Sequence, residues 1–249
     1  MLERHQKIID LVNSKDKVEV KELAKRLGVS AVTIRKDLDY LAGKSLLVKE
    51  HGYAERYREE DQTNRFSLQY DQKVKIAKKA ASLVRSGEVI MIESGSTCAL
   101  MAAEIASSGR DITVITNSAF IASFISGKGD SRVILLGGEY QKESQVMVGP
   151  LVRVCAGTFH VDKLFAGADG FDSAYGFTAG DLMRTDAIKA MAEAARHTIV
   201  LADSTKFDQL GLVMQLPFDA VSTVVTDIGV PKEALEVMRE KGVEVLVTE

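Results

Sequence analysis

The spacing of apolar residues changes character near residue 60. Before that point it follows a helical period. Ile8, Leu11 and Val12 fall on one helical face, Leu23, Ala24 and Leu27 on a second, and Ile34, Leu38 and Leu41 on a third. Gly28 follows the second of these helices and Ser30 precedes the third. "LGVS" therefore reads as a tight turn that ends in an N-cap. Beyond the third helix, "SLLVKEHGYAERY" reads as two short strands joined at His51-Gly52. Three helices and a small hairpin within residues 1–57 describe a winged helix-turn-helix.

Residues 58–65 are polar and have the composition of a linker, and the connecting segment is set at 58–72. A helical period follows, with Ile76, Ala80, Leu83 and Val84 on one side. From residue 88 the chain alternates. Short β-branched runs stand at 89–93, 112–116, 132–137, 162–168, 198–202, 221–226 and 243–248. Several are separated by helical stretches, at 98–106, 119–126, 186–196 and 232–241. Apolar runs without polar alternation indicate strands buried on both faces. Strands alternating with helices predict a mostly parallel sheet, so residues 73–249 are expected to form a doubly wound α/β domain.

Composition changes this picture little. Of 249 residues, 46% are apolar and 27% charged, which is ordinary for a globular protein. Charge distribution changes it more. Residues 1–56 carry 12 Lys/Arg against 9 Asp/Glu, while the remainder carries 20 against 26. The first segment can approach a polyanion; the second is poorly suited to one. The apolar runs are far shorter than the roughly 18 residues of a membrane span, and "MLERHQKIID" has no apolar signal-peptide core. A cytoplasmic protein with no membrane partner is expected. Cys98 and Cys155 lack CxxC or Cys/His partner spacing, so both read as reduced thiols, with no metal or cofactor expected.

Within the first region, the third helix carries the chemistry. With Ile34, Leu38 and Leu41 turned inward, Ala31, Thr33, Arg35 and Lys36 lie near its N-terminal half and off the core face. The first turns of such a helix can enter a major groove, where Arg or Lys reaches base edges or phosphates. Ser30 and Thr33 can donate to phosphate at the helix start. Lys49 and His51, near the wing tip, can touch the backbone alongside. A helical domain used for protein contacts would carry the same charges as solvated surface, and the local sequence separates the two. Arg4…Ile8, Glu22-Leu23-Ala24 and Ser30-x-x-Thr33-Ile34-Arg35-x-Asp37-Leu38-x-x-Leu41 closely resemble the helix-turn-helix of the DeoR family of bacterial transcription regulators. The wing of that family usually reads Arg-x-His-Gly-Gly-Ala. Here "KEHGYA" keeps His51, Gly52 and Ala54 but has Lys49 and Tyr53.

The second region raises a different question at "ESGSTCALMAAEI". A strand, then a glycine and two hydroxyls, then a helix places backbone N–H groups where the helix dipole favours an anion. Gly95 lets the chain bend close to a ligand, and Ser96 and Thr97 add donors. The loop is not a Walker A motif, and it is not GxGxxG, so a dinucleotide is not implied. Small and polar residues recur at four more strand ends: "TNS" with Asn117 and Ser118, "GGE" with Gly138, "GADG" with Asp169 and Gly170, and "ADSTKF" with Lys206. Ligands of open parallel sheets bind in the crevice at the carboxyl ends of the strands, so five such ends point to one shared site.

"ESGST", "TNS", "LLGGEY", "DKLFAGADG" and "ADSTKF" resemble the effector-sensing domain of the DeoR family, which is similar in fold to ribose-5-phosphate isomerase. The resemblance implies that Gly95, Ser96 and Thr97 hold a phosphate. It implies that Glu93, Asn117, Asp169 and Lys189 face the sugar and that Lys206 completes the site. After its GADG segment the family often reads Gly-x-Ser/Thr-Thr-x-x-x-Glu-Glu-Ala-Glu-x-Lys. In "GFTAGDLMRTDAIKAM", Met183, Arg184 and Thr185 stand where acidic residues are common, which points to a different effector.

Carboxylates such as Glu93, Asp169, Asp172 and Asp181 would also serve a sugar-phosphate isomerase, which is the alternative reading. The attached DNA-reading module makes little sense for an isomerase. The expected function is a homo-oligomeric, DNA-binding regulator and not an enzyme. It would repress genes of carbohydrate or sugar-alcohol metabolism and release its double-stranded DNA operator when a phosphorylated sugar or sugar alcohol binds.

Overall fold

The computed structural model describes residues 3–15, 17–43, 47–50, 52–55 and 69–249. The chain divides into two compact units, Met1–Asp71 and Gln72–Glu249.

The first unit runs α1 (Glu3–Lys15), β1 (Lys17–Glu19), α2 (Val20–Leu27), α3 (Ala31–Gly43), β2 (Val48–Glu50) and β3 (Tyr53–Glu55). Six of the nine positions the helical period selects lie in its core: Ile8, Val12, Leu23, Ile34, Leu38 and Leu41 are buried, while Leu11, Ala24 and Leu27 are half-buried. The turn between α2 and α3 forms as the sequence requires. Gly28 adopts a left-handed conformation at φ 64, a region open to glycine at no steric cost. Ser30 Oγ then accepts the Thr33 N–H at 3.1 Å and caps α3. The wing has one strand more than the sequence predicts. Lys17–Glu19 pairs antiparallel with Tyr53–Glu55, giving the order β1-β3-β2. Three residues with one buried position, Val18, carry too little pattern to be read. His51 lies outside the described residues.

The second unit opens with α4 (Tyr70–Ser82), so residues 70–72 of the expected linker are helical; residues 58–68 lie outside the described residues. Then come β4 (Val89–Ile92), α5 (Ser96–Ala106), β5 (Thr113–Thr116), α6 (Ala119–Ile125), β6 (Arg132–Leu135), the hairpin β7 (Glu139–Gln141) and β8 (Val146–Val148), and α7 (Pro150–Ala156). The rest is β9 (Val161–Gly167), β10 (Gly170–Asp172), β11 (Gly176–Ala179), α8 (Leu182–Glu193), β12 (Ala195–Leu201), β13 (Val213–Pro217), β14 (Thr223–Asp227), α9 (Lys232–Glu240) and β15 (Glu244–Thr248).

Seven of these strands form one sheet in the order β15-β14-β12-β9-β4-β5-β6. Every neighbouring pair is parallel. The chain starts in the middle at β4 and moves outward through β5 and β6. It then returns to the other side of β4 and continues through β9, β12, β14 and β15. The direction of winding reverses between β4 and β9, and such a switch point opens a crevice beyond the carboxyl ends of the two strands.

Two features depart from the sequence reading. The helix expected over 186–196 starts at Leu182, because Asp181 caps it by accepting the Arg184 N–H at 2.7 Å. It also stops before Ala195, which belongs to β12. The second is a three-stranded antiparallel sheet, β10-β11-β13, whose members are too short and too glycine-flanked to show alternation. Phe171 and Phe177 from this sheet pack edge to face at 5.6 Å.

Candidate functional sites at the reader helix and the strand-end crevice

On α3 the residues that the core leaves free share one face. Val32, Arg35, Lys36, Asp39 and Tyr40 are exposed, and their spacing of three and four keeps them together. Ser30 is exposed at the helix start, and Ala31 and Thr33 are half-buried beside it. Thr33 Oγ1 lies 2.9 Å from Ser30 Oγ, so the two hydroxyls form one polar cluster at the helix N-terminus. Lys49 reaches α3 from β2 and pairs with Asp39. Its charge is thus already shared within the unit, which sequence alone does not show.

A buried carboxylate fixes the pitch of this helix. Asp37 accepts hydrogen bonds from Arg4 Nε at 2.6 Å and Nη2 at 3.0 Å, and its Oδ1 lies 3.0 Å from His5 Nε2. Burial pushes the Asp37 carboxyl up, but the hydrogen bonds and charges of Arg4 and His5 outweigh it and hold the carboxyl below its ordinary value. The pair ties α1 to α3, and His5 stacks on Tyr40 with ring centroids 4.9 Å apart.

At the switch point of the larger unit the strand ends converge. β4 ends at Glu93-Ser94-Gly95 and β9 at Gly167-Ala168-Asp169. Gly95 has φ 150 and precedes the first turn of α5, where Ser96 and Thr97 are buried. Beneath that loop lies Glu93, 4% exposed. Its Oε1 accepts the Ser94 hydroxyl at 2.6 Å, and its Oε2 accepts the Gly167 N–H at 3.1 Å, which closes the gap between the two strands. Burial raises the carboxyl to about 7, against the opposing pull of the Ser94 and Gly167 hydrogen bonds and the Arg184 charge. The Cys98 thiol behind the loop is pushed well up by burial and by Glu93, which disfavours a reactive thiolate.

One strand over, Asn117 is 1% exposed; its Nδ2 donates to the Met147 carbonyl at 3.1 Å, and its Oδ1 takes no bond from the described residues. Met147 belongs to the β7–β8 hairpin, which the sequence does not reveal and which packs against the end of β5. On the other side, the turn Ser204–Lys206 follows β12 and carries Lys206, half-buried.

The five strand ends named from sequence therefore sit on five consecutive strands, β12, β9, β4, β5 and β6. Not every residue at them is free for a ligand. Ser118 is buried and caps α6 by accepting the Ile121 N–H at 3.2 Å. Gly138 is held by packing, since a Cβ there would lie 2.7 Å from both the Val148 carbonyl and the Val152 side chain. Gly170 is held likewise, against the Gln209 backbone and Thr178 Oγ1. Lys189 is not brought to the crevice. It lines a cavity of about 530 Å3 with Ala195, Thr198 and Met214, toward the amino-terminal half of β12. A cation that does reach the crevice is Arg184, on the first turn of α8. Its guanidinium is 4.0 Å from Asp169 Oδ2 and 3.9 Å from Asp181 Oδ1. The signal for it in the sequence is a basic residue where acidic ones are common. No group of three or more His, Cys, Asp or Glu among the described residues could hold a metal ion.

Comparison with known proteins bears on both regions. A family model described as "DeoR-like helix-turn-helix domain" matches residues 4–60, and one described as "DeoR C terminal sensor domain" matches residues 68–228. The HTH-type transcriptional regulator YulB of Bacillus subtilis (strain 168), itself described as uncharacterized, is 32% identical over 247 residues, covering 98% of this chain and 95% of that protein. The HTH-type transcriptional regulator UlaR of Salmonella arizonae is 30% identical over 254 residues, covering 98% of each. Among solved structures, ribose 5 phosphate isomerase A from Neisseria gonorrhoeae aligns with 54% of this chain and 52% of its own at 21% identity and a TM-score of 0.42.

Proposed function

We propose a division of labour in this chain, which belongs to the DeoR family of transcriptional regulators: the first unit holds operator DNA, and the second reports a phosphorylated sugar or sugar alcohol. Like the regulators it matches along nearly its whole length, the chain is a DNA-binding transcriptional regulator and not an enzyme. The reader comprises residues 1–57, and the connection ends where the helix Tyr70–Ser82 begins, slightly before the expected boundary at 72.

The exposed Arg35 and Lys36 on a helix pinned by Asp37 carry the reading of the first unit. Arg35 and Lys36 enter the major groove, with Ala31 against the base edges. Ser30 and Thr33 meet a phosphate at the helix start. Lys49 leaves Asp39 for the backbone, and His51 touches the backbone beside it. In the second unit, Gly95, Ser96 and Thr97 hold the effector's phosphate at the start of α5. Glu93, Asn117 and Asp169 face its hydroxyls, with Lys206 at the rim. Two or more copies present paired readers to related half-sites in the cytoplasm. The effector binds one arrangement better than the other and shifts the population, so that a repressor leaves genes of carbohydrate or sugar-alcohol metabolism.

Selection from a random duplex library tests the first half. The full chain should enrich one sequence with two related half-sites, and Arg35→Ala should lose the preference at the base pair that Arg35 meets. Enrichment of the same sequence by the variant would remove Arg35 from the groove.

A further inference from the structure

Arg184 makes no hydrogen bond through its guanidinium among the described residues, although the side chain is only 19% exposed. The two carboxylate oxygens it faces, Asp169 Oδ2 and Asp181 Oδ1, stand at 4.0 Å and 3.9 Å, beyond hydrogen-bond reach. Both carboxylates already have closer donors. Asp169 Oδ2 accepts the Gly180 N–H at 3.1 Å, and Asp181 Oδ1 accepts the Arg184 backbone N–H at 2.7 Å. An arginine placed to neutralise these acids would close onto one of them, as Arg4 does onto Asp37 at 2.6 Å. Arg184 does not. Its five planar donors thus make no hydrogen bond among the described residues, and the two carboxylates in ion-pair range are held off at about 4 Å.

The company Arg184 keeps indicates which end of the ligand it meets. The phosphate end belongs to the Gly95–Thr97 loop on β4 and α5. Arg184 comes from α8, between Asp169 and Asp181, and its charge is felt at Glu93. These are carboxylates, which suit neutral hydroxyls as acceptors. Hydroxyls alone give a guanidinium only weak acceptors in their midst, whereas a carboxylate matches its fork with two parallel charge-assisted bonds.

We propose that Arg184 is the specificity-determining residue of the crevice, receiving an acidic group at the end of the effector remote from its phosphate, so that the ligand is a phosphorylated sugar acid. This rests on the sugar-phosphate reading of the crevice given above.

Calorimetric titration of the full chain with matched probes tests it. Each pair is an aldonate phosphate of four to six carbons and the alditol phosphate of the same configuration, such as 6-phospho-D-gluconate against D-glucitol 6-phosphate. In at least one pair the acid should bind about tenfold or more tightly. Arg184→Met should bring that pair within about threefold by weakening the acid alone, and Arg184→Lys should recover part of the difference. Equal binding of acid and alditol by the unaltered chain overturns the assignment and leaves the sugar-phosphate reading standing. Equal weakening of both probes in Arg184→Met also overturns it, by making Arg184 a structural residue. Binding of no probe at millimolar concentration removes the sugar-phosphate reading itself, and this assignment with it.

Discussion

Asp37 in the first unit and Glu93 in the second are both buried carboxylates, and the two are treated in opposite ways. Asp37 in the reader meets Arg4 and His5 within 3.0 Å and is held below its ordinary value. Glu93 in the sensor meets a hydroxyl and one backbone N–H and is raised to about 7. The first carboxylate is satisfied by the protein and serves to set the pitch of α3. The second remains short of a counter-charge at the place where a ligand arrives. Beside Asp37 the charges proposed to meet DNA, Arg35 and Lys36, stand in water, as counter-ion exchange with a polyanion requires. Around Glu93 the functional groups are withdrawn from water and fixed in direction, as recognition of a small ligand requires.

The two carboxylates should make the two units respond to pH in opposite directions. Glu93 has a folded value of about 7 against 4.5 unperturbed. The folded sensor therefore holds a proton that the unfolded chain has lost. Its stability is full below pH 4.5 and falls as the pH rises toward 7, by about 3 kcal/mol in all. Glu93→Gln should flatten that slope in denaturant melts of the sensor transition; an unchanged slope would place the effect elsewhere. Asp37 runs the other way. Its stabilisation is present above its unperturbed 3.8 and is lost as pH falls below that value.

A smaller effect sharpens the contrast at Asp37 itself. Asp37→Ala leaves Arg4 and His5 without their partner. Because the Arg4 side chain is 31% exposed, the loss is discounted to about 2 kcal/mol. It should appear in the unfolding transition of the first unit, and an unchanged transition there would remove the strut role of Asp37. The smallest expected effect concerns Lys49. Its pair with Asp39 is a surface one, so Lys49→Ala should cost less than about 1 kcal/mol of stability. If Lys49 moves to a phosphate on DNA, the same variant lowers the salt slope of binding by about 0.9. An unchanged slope would leave Lys49 as a strut of the wing.

The sequence was more legible in the reader than in the sensor, for a physical reason. The reader's fold rests on three helical faces of apolar residues and a capped turn, all local in the chain. Its candidate residues follow by subtraction from the core. The sensor's parallel sheet was also legible, because strands buried on both faces read as unbroken apolar runs. Its site was legible only as strand ends. Which residue at an end faces the crevice depends on packing between distant segments. Ser118 went to a helix cap, Gly138 and Gly170 to close packing, and Lys189 to another cavity. Arg184, five residues nearer the start of α8, stands beside Asp169 at the strand end. The β7–β8 hairpin and the small antiparallel sheet escaped because strands of three to five residues carry too few alternations.

One measurement addresses the division of labour most directly: operator binding followed by fluorescence anisotropy, with and without the effector, for the unaltered chain, Arg35→Ala and Ser96→Asp. Arg35→Ala should weaken DNA binding by roughly tenfold to a hundredfold while the effector still raises the sensor's melting temperature. Ser96→Asp puts a negative charge at the proposed phosphate position; it should bind DNA normally and no longer release it on effector addition. Normal DNA binding by Arg35→Ala, or a normal effector response in Ser96→Asp, would contradict the assignment of the two tasks to these two places.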